Sequence, residues 1–145
     1  MRKMIAVILI ICIIPTWAFA LDLTAFNANA YICGEKEMLD ESTGKQSDPY
    51  IIFSANDCLI GFKEENNTIT NIVVQGDGSH FLAYAMAAIM VFIDDYKLFN
   101  ENAGILLSCF LLARGGDKEQ VLYITSGQAI YIRPHNNEFF FTIGQ

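Results

Sequence analysis

The residues of this chain that could carry out catalysis are few and form no recognised motif. Two histidines are present, His80 and His135, and the nucleophiles that either could activate are Ser79 and Cys58. A small envelope hydrolase built from one such pair is therefore one hypothesis. Because no Gly-x-Ser-x-Gly turn surrounds Ser79, the sequence predicts no catalytic residue and favours a protein that is not an enzyme.

The same residue types are too sparse to predict a metal site. Asp77 and His80 form the closest local pair, in a glycine-flanked turn. A metal ion needs more than two ligands, and the chain has no zinc-ligand spacing. We interpret the stretch as a turn followed by a helix that Ser79 caps. The sequence predicts neither a metal nor a cofactor.

Residues 1–20 have the pattern of a signal peptide. A basic start precedes an apolar run over 4–14, and the small residues Ala18 and Ala20 suit signal peptidase. We therefore expect cleavage after Ala20, a single globular domain over 21–145, and export to a bacterial periplasm or the extracellular space.

Three cysteines follow residue 20. In an oxidising compartment we expect one pair to close. Cys33 and Cys58 flank predicted strands, whereas Cys109 lies in an apolar helical run and suits a core position. The sequence predicts a Cys33–Cys58 disulfide, which would contribute ~3–4 kcal/mol on the chain-entropy model.

The net charge of the chain indicates which classes of partner it would attract or repel. Nine basic and sixteen acidic residues give a net charge of −7, and removing Arg2 and Lys3 leaves seven against sixteen, or −9. Nucleic acid and anionic lipid would be repelled. We expect no nucleic-acid partner and an attraction to basic proteins, although such a charge also serves solubility.

The hydrophobic pattern predicts an α+β fold: an antiparallel sheet of about five to six strands, with a helical hairpin over about 79–114 packed on one face. The predicted strands are 31–38, 50–53, 59–63, 68–75, 120–125, 129–133 and 139–143. The breaks 54–57 and 64–67, which contain Asn56-Asp57 and Asn66-Asn67, favour tight hairpins, so we expect the strands over 50–75 to form an antiparallel meander. Residues 21–31 are expected to be irregular or weakly helical. The apolar stretch 81–93 rises only ~20 Å as a helix, against ~30 Å of membrane hydrocarbon, so we expect no stable membrane span.

Two further features of the pattern concern surfaces. The polar stretch Leu39–Pro49 is typical of an exposed loop. In the last strand Phe140 points away from its aromatic neighbours, so part of the outer sheet face is apolar. We expect residues 21–31 to cover that face; a contact surface is the alternative.

The function that these observations favour is a non-enzymatic exported binding protein that recognises another protein, as an inhibitor or immunity-type factor. An acidic surface could steer the protein onto a basic active site. The candidate binding residues lie in the Leu39–Pro49 loop and the Gly76–His80 turn: Asp40, Glu41, Asp48, Asp77 and His80. A third hypothesis is a membrane-active or envelope-assembly protein whose helical hairpin opens and inserts.

Overall fold

One antiparallel sheet organises the chain and confirms the α+β class. The computed structural model describes residues 21–93, 100, 104, 107–112, 118–123, 127–135 and 138–144. The sheet has seven strands, slightly more than expected. They are β1 (Lys45–Ser47), β2 (Tyr50–Ala55), β3 (Cys58–Glu65), β4 (Thr68–Gly76), β5 (Gln120–Tyr123), β6 (Ala129–His135) and β7 (Glu138–Gly144). The predicted signal peptide over 1–20 lies outside the described residues.

The strand order is β1-β2-β3-β4-β7-β6-β5. The first four strands form a meander, of which β2, β3 and β4 were predicted. The chain then leaves the sheet, returns at the far edge with β5, and meanders back until β7 pairs with β4. The central strands β3, β4 and β7 therefore carry the core on the face that the helices cover.

Asparagine and aspartate make the tight hairpins of the meander. Asn56 and Asp57 have φ of 48° and 61° between β2 and β3, and Asn66 and Asn67 have φ of 52° and 61° between β3 and β4. Two consecutive residues with positive φ form a type I′ turn, whose twist matches that of the flanking strands. Both turns were predicted from these residue types.

The seventh strand lies in the predicted Leu39–Pro49 loop. This segment instead contains a single 3₁₀ turn, Glu41–Thr43, followed by β1. All of β1 is exposed, so it is held by backbone pairing with β2 rather than by apolar burial. A strand without a buried side leaves no hydrophobic pattern, which is why the sequence did not reveal it.

The predicted strand over 31–38 is wrong, because helix α1 (Thr24–Ile32) extends into its first residues. Phe26 and Ala30 lie one turn apart on its buried face. The ring of Phe26 meets Phe62 edge to face at 5.0 Å and stacks on Tyr84 at 6.2 Å. Residues 24–32 therefore lie on the helix side, and the expectation that 21–31 covers the outer sheet face is also wrong.

Helix α2 (Gly78–Phe92) is the first helix of the predicted hairpin. It begins earlier than expected, because Asp77 and not Ser79 caps it: the Asp77 carboxylate accepts a hydrogen bond from the Gly78 N–H at 2.7 Å. Of the second helix, residues 107–112 are described and helical. Phe110 packs edge to face on Phe81, with ring centroids 5.6 Å apart. The described helices all fall short of the length and apolarity that a membrane span requires.

The predicted Cys33–Cys58 disulfide is not formed, since Cys33, Cys58 and Cys109 are free thiols. Cys33 ends α1, and its sulfur lies 4.0 Å from the sulfur of Met90 on α2. Cys58 is buried at the start of β3, where a β-carbon at Gly76 would come within 2.7 Å of its sulfur. The α1 helix, which extends into the segment predicted to be a strand, directs Cys33 towards α2 instead of towards β3.

A glycine-centred cap ends α1 and fixes the chain that follows. The Gly34 N–H donates to the Tyr31 carbonyl at 3.0 Å, and the Glu35 N–H donates to the Ala30 carbonyl at 2.9 Å. This pair of bonds is the Schellman motif, which requires a left-handed residue. Gly34 supplies it with φ of +101°.

We predict that Gly34→Ala lowers the free energy of unfolding by ~1–2 kcal/mol, because a side chain is strained at that φ. The space around a new β-carbon at Gly34 is open, so the loss comes from the backbone and not from a clash. Gly104→Ala is the control. Gly104 is helical, its φ is not positive, and the space around a new β-carbon there is also open. Urea denaturation measures both, and equal effects would contradict the account.

Candidate functional site

A hydrogen-bonded polar cluster joins α1, the β2–β3 turn and α2 at one end of the sheet. Its centre is Glu35, whose side chain is only 5% exposed. One carboxylate oxygen lies 2.8 Å from Nδ1 of His80, and the other accepts a hydrogen bond from Asn56 Nδ2 at 2.8 Å. The same Asn56 nitrogen lies 3.0 Å from the Tyr84 hydroxyl.

Each member of this cluster is held by local backbone geometry. The cap on α1 places Glu35, and the type I′ turn places Asn56 with φ of 48°. His80 lies in the first turn of α2, and Tyr84 follows four residues later on the same side of the helix. Three separate chain segments thus converge on one carboxylate.

The imidazole of His80 is both oriented and accessible. Its side chain is 53% exposed, although its carboxylate partner is buried. Because Glu35 engages Nδ1, Nε2 is the ring nitrogen that remains for a ligand or for proton transfer. A carboxylate that fixes one imidazole nitrogen is the arrangement that orients a general base, and it equally presents a polar anchor to a bound molecule.

Burial, together with nearby carboxylates, raises the pKa of two groups beneath this cluster. Burial, followed by the charges of Glu35, Glu138 and Asp57, raises the pKa of Cys58 to about 11. Burial raises the pKa of Tyr84 to about 12; the hydrogen bond with Asn56 lowers it, and the charge of Glu35 adds a smaller increase. Deprotonation of either group would place a second negative charge near the same carboxylates.

Acidic residues from several segments therefore meet at this end of the sheet. Glu37 follows Glu35 in the same loop, Asp57 lies in the β2–β3 turn, and Asp77 lies between β4 and α2 as the cap of that helix. Glu138 begins β7 and accepts a hydrogen bond from Gln75 Nε2 at 3.0 Å. We call Glu35, Glu37, Asp57, Asp77 and Glu138 the acidic end.

An apolar cavity of about 270 Å³ opens beside the acidic end. Asp77 and Ser79 lie at its margin, between the start of α2 and the helical residues 107–112. The side chains that make its walls apolar are Phe81, Leu82, Leu107, Phe110, Leu111 and Phe139. The cavity is large enough for an apolar side chain of a bound molecule.

The structure separates the binding residues that the sequence proposed. Asp77 and His80 lie at the acidic end, whereas Asp48 lies in the β1–β2 turn at the opposite end of β2. A strand of six residues spans about 20 Å between them. Asp40 and Glu41 belong to the 3₁₀ turn, where hydrogen bonds from Ser42 lower the pKa of Asp40.

The residues of the hydrolase hypothesis do not assemble completely. His80 has an orienting carboxylate, but among the described contacts no hydrogen bond joins it to Ser79. Cys58 is buried, and its pKa of about 11 leaves little thiolate at neutral pH. The side chain of His135 lies outside what the structure describes.

The sequence did not single out Glu35, Asn56 or Tyr84. Asn56 was read as a turn residue only, and Glu35 fell in a segment predicted to be a strand. Tyr84 lay in an apolar helix, where a phenol oxygen needs a partner when it is buried. The spacing of His80 and Tyr84 was the one available signal that both face the same side of α2.

Comparisons with models of known protein families, with curated proteins and with solved structures gave no match to this chain. Inferences about its function therefore depend on the geometry described above.

We predict that raising the pH from 9 to 11 lowers the free energy of unfolding. In the unfolded chain Cys58 and Tyr84 lose protons near their ordinary values of 9.0 and 10.0, but in the folded protein only near about 11 and about 12. The unfolded state therefore binds fewer protons over this window, and deprotonation favours unfolding.

Urea denaturation at several pH values tests this prediction. Cys58→Ala and Tyr84→Phe should each reduce the loss of stability above pH 9. Tyr123→Phe is the matched control, because the Tyr123 side chain is exposed. A loss that is the same in all three variants as in the parent protein would contradict the assignment.

Proposed function

We propose that this protein is a non-enzymatic exported binding protein whose acidic end recognises a basic protein, in the manner of an inhibitor or immunity-type factor. The observation that supports the proposal best is that four chain segments bring the five carboxylates of the acidic end together, with Glu35 in contact with a half-exposed histidine. This arrangement is fixed before any partner arrives, so binding would cost little ordering of the site.

The charge of the acidic end suits such a partner. The whole chain has a net charge of −7, which attracts a basic protein over a long range. At closer range the exposed carboxylates of Asp57 and Asp77 could pair with lysine or arginine. Complementary charge of this kind raises the association rate and selects between partners more than it adds affinity.

The apolar cavity beside Asp77 could bind an apolar side chain of the partner, which charged residues on the surface could not do. Binding energy at protein interfaces is concentrated in a few apolar or aromatic side chains that fill pockets, surrounded by polar contacts that exclude water. An apolar side chain of the partner in the cavity, with basic residues around it, would match this arrangement. The proposed contact surface therefore consists of the acidic end and the cavity.

We propose a smaller contact surface than the one expected from the sequence. Asp48 lies at the other end of β2, so it cannot share one small contact with Asp77 and His80. A partner bound at the acidic end would contact the β2–β3 turn and the first turn of α2. The proposed surface keeps Asp77 and His80 of the Gly76–His80 turn and leaves out Asp48 of the Leu39–Pro49 loop.

We predict that the immobilised protein captures a basic protein from the envelope or culture fluid at low salt and releases it at high salt. With that complex in hand, Asp57→Asn and Asp77→Asn should each weaken binding ~2–5-fold, or ~0.4–1 kcal/mol, as expected for exposed charges. Asparagine also caps helices well, so Asp77→Asn preserves the start of α2.

Asp48→Asn is the control, because it removes the same charge at the opposite end of the sheet. Surface plasmon resonance should show slower association for the two acidic-end variants and an unchanged rate for Asp48→Asn. Failure of a folded bait to retain any protein, or an equal effect of all three variants, would refute the proposal.

The contact between Glu35 and His80 supports a second candidate, a small hydrolase in which His80 is the base and Glu35 its positioning residue. If the protein hydrolyses an activated ester, His80→Ala should abolish the reaction and Glu35→Gln should lower kcat. A Ser79→Ala variant that keeps full activity would exclude Ser79 as the nucleophile. Hydrolysis that survives His80→Ala would exclude this site altogether.

A further inference from the structure

Three sulfur-containing side chains line one groove between the end of α1 and the exposed side of α2. The sulfur of Cys33 lies 4.0 Å from the sulfur of Met90, and Met86 lines the same groove. The groove has a volume of about 390 Å³, and its remaining walls are Ile32, Ser79, Leu82 and Ala83. We call it the sulfur-lined groove.

The backbone holds the three sulfur residues in place. Met86 and Met90 are four residues apart in α2, so they lie on one side of the helix a single turn apart. Cys33 is the C-cap residue of α1, and its N–H donates to the Asn29 carbonyl at 3.0 Å. The Asn29 amide in turn reaches the Ala87 carbonyl, 3.5 Å away, between the two methionines. These contacts fix α1 against α2 at the level of the groove.

The groove is accessible to solvent, and its sulfur atoms are soft metal ligands. Cys33, Met86 and Met90 are each half-buried, while Ile32 at the rim is 66% exposed. Among the described residues that line the groove, the hydroxyl of Ser79 is the one oxygen-bearing side chain, and none carries a carboxylate. Thiolate and thioether sulfur select Cu(I), whereas Mg²⁺, Ca²⁺ and Mn²⁺ prefer oxygen ligands.

We propose that the sulfur-lined groove is a binding site for Cu(I), with Cys33 Sγ and the thioether sulfurs of Met86 and Met90 as its ligands. On binding, the Cys33 thiol releases its proton to solvent, and its sulfur forms a bond to the metal ion. The two methionines donate lone pairs and lose no proton. Copper enters and stays as Cu(I), so the step needs no oxidant or reductant.

Burial makes this thiol a poor nucleophile in the absence of metal. Burial, and next the charge of Glu35, raise the pKa of Cys33 above its ordinary value. Cu(I) can displace the thiol proton well below that pKa, because a coordinated thiol is deprotonated by the metal charge.

This site does not depend on the protein partner proposed above. It lies between α1 and α2, and among the described residues Ser79 and Leu82 are the two that also line the apolar cavity. Loss of metal binding would leave the charges of the acidic end intact. Each proposal can therefore fail alone.

The test is anaerobic competition between the purified protein and a coloured Cu(I) chelator. We expect one equivalent of Cu(I) to be withdrawn from the chelator. Cys33→Ser should weaken binding at least about tenfold, and the Met86→Leu and Met90→Leu variants should each weaken it measurably. Methionine and leucine are similar in volume, so the last two variants should fold.

Two controls separate this site from unspecific sulfur binding. Cys109→Ser replaces another half-buried cysteine, and Met38→Leu replaces a methionine that is 59% exposed. Both should bind Cu(I) as the parent protein does. If Cys33→Ser binds as tightly as the parent, or if the two methionine variants bind unchanged, the proposed ligand set is wrong.

A second readout does not require that Cys33→Ser folds. Ag(I), a redox-inert substitute for Cu(I), should protect Cys33 of the parent protein from alkylation, as measured by mass spectrometry. Protection should be lost in a Met86→Leu/Met90→Leu variant at an Ag(I) concentration that protects the parent. Unprotected Cys33 in the parent protein would overturn the proposal.

Discussion

The buried carboxylate of Glu35 is the constraint on which the end of this molecule depends. A charge that is removed from water is tolerated only when hydrogen bonds or opposite charges replace the lost solvation. Here Asn56 and His80 supply that replacement, and they come from the β2–β3 turn and from α2. The hydrogen bonds to this one carboxylate therefore link α1, the sheet and α2, and they also orient the imidazole of His80.

The Gly34 cap has two effects because it ends α1 at a fixed residue. It directs Glu35 inward towards the polar cluster, and it leaves Cys33 facing Met90 on the outer side of α2. A disulfide from Cys33 to Cys58 would have required a different path for this segment. The free thiol and the oriented histidine thus both follow from how one short helix ends.

The aromatic residues of β7 lie on both faces of the sheet. Phe139 and Phe141 point into the core, whereas Arg133 lies over the ring of Phe140, 4.6 Å from its centre. A cation above an aromatic face stabilises a ring that stays partly in water. The outer face therefore needs no covering by residues 21–31, which instead contribute to the core between α2 and β3.

The sequence alone determined the elements whose signals are local. Asparagine and aspartate pairs predicted the hairpins, alternating apolar residues predicted most strands, and the apolar run after Gly78 predicted α2. It could not reveal β1, whose exposed residues have no pattern, or that the weakly helical segment expected over 21–31 would form a regular helix that extends into the predicted strand over 31–38. Tertiary structure alone decided the site, because Glu35 meets His80 across 45 residues of chain and Cys33 meets Met90 across 57. Contacts that distant depend on how the helices pack, and no local periodicity encodes them.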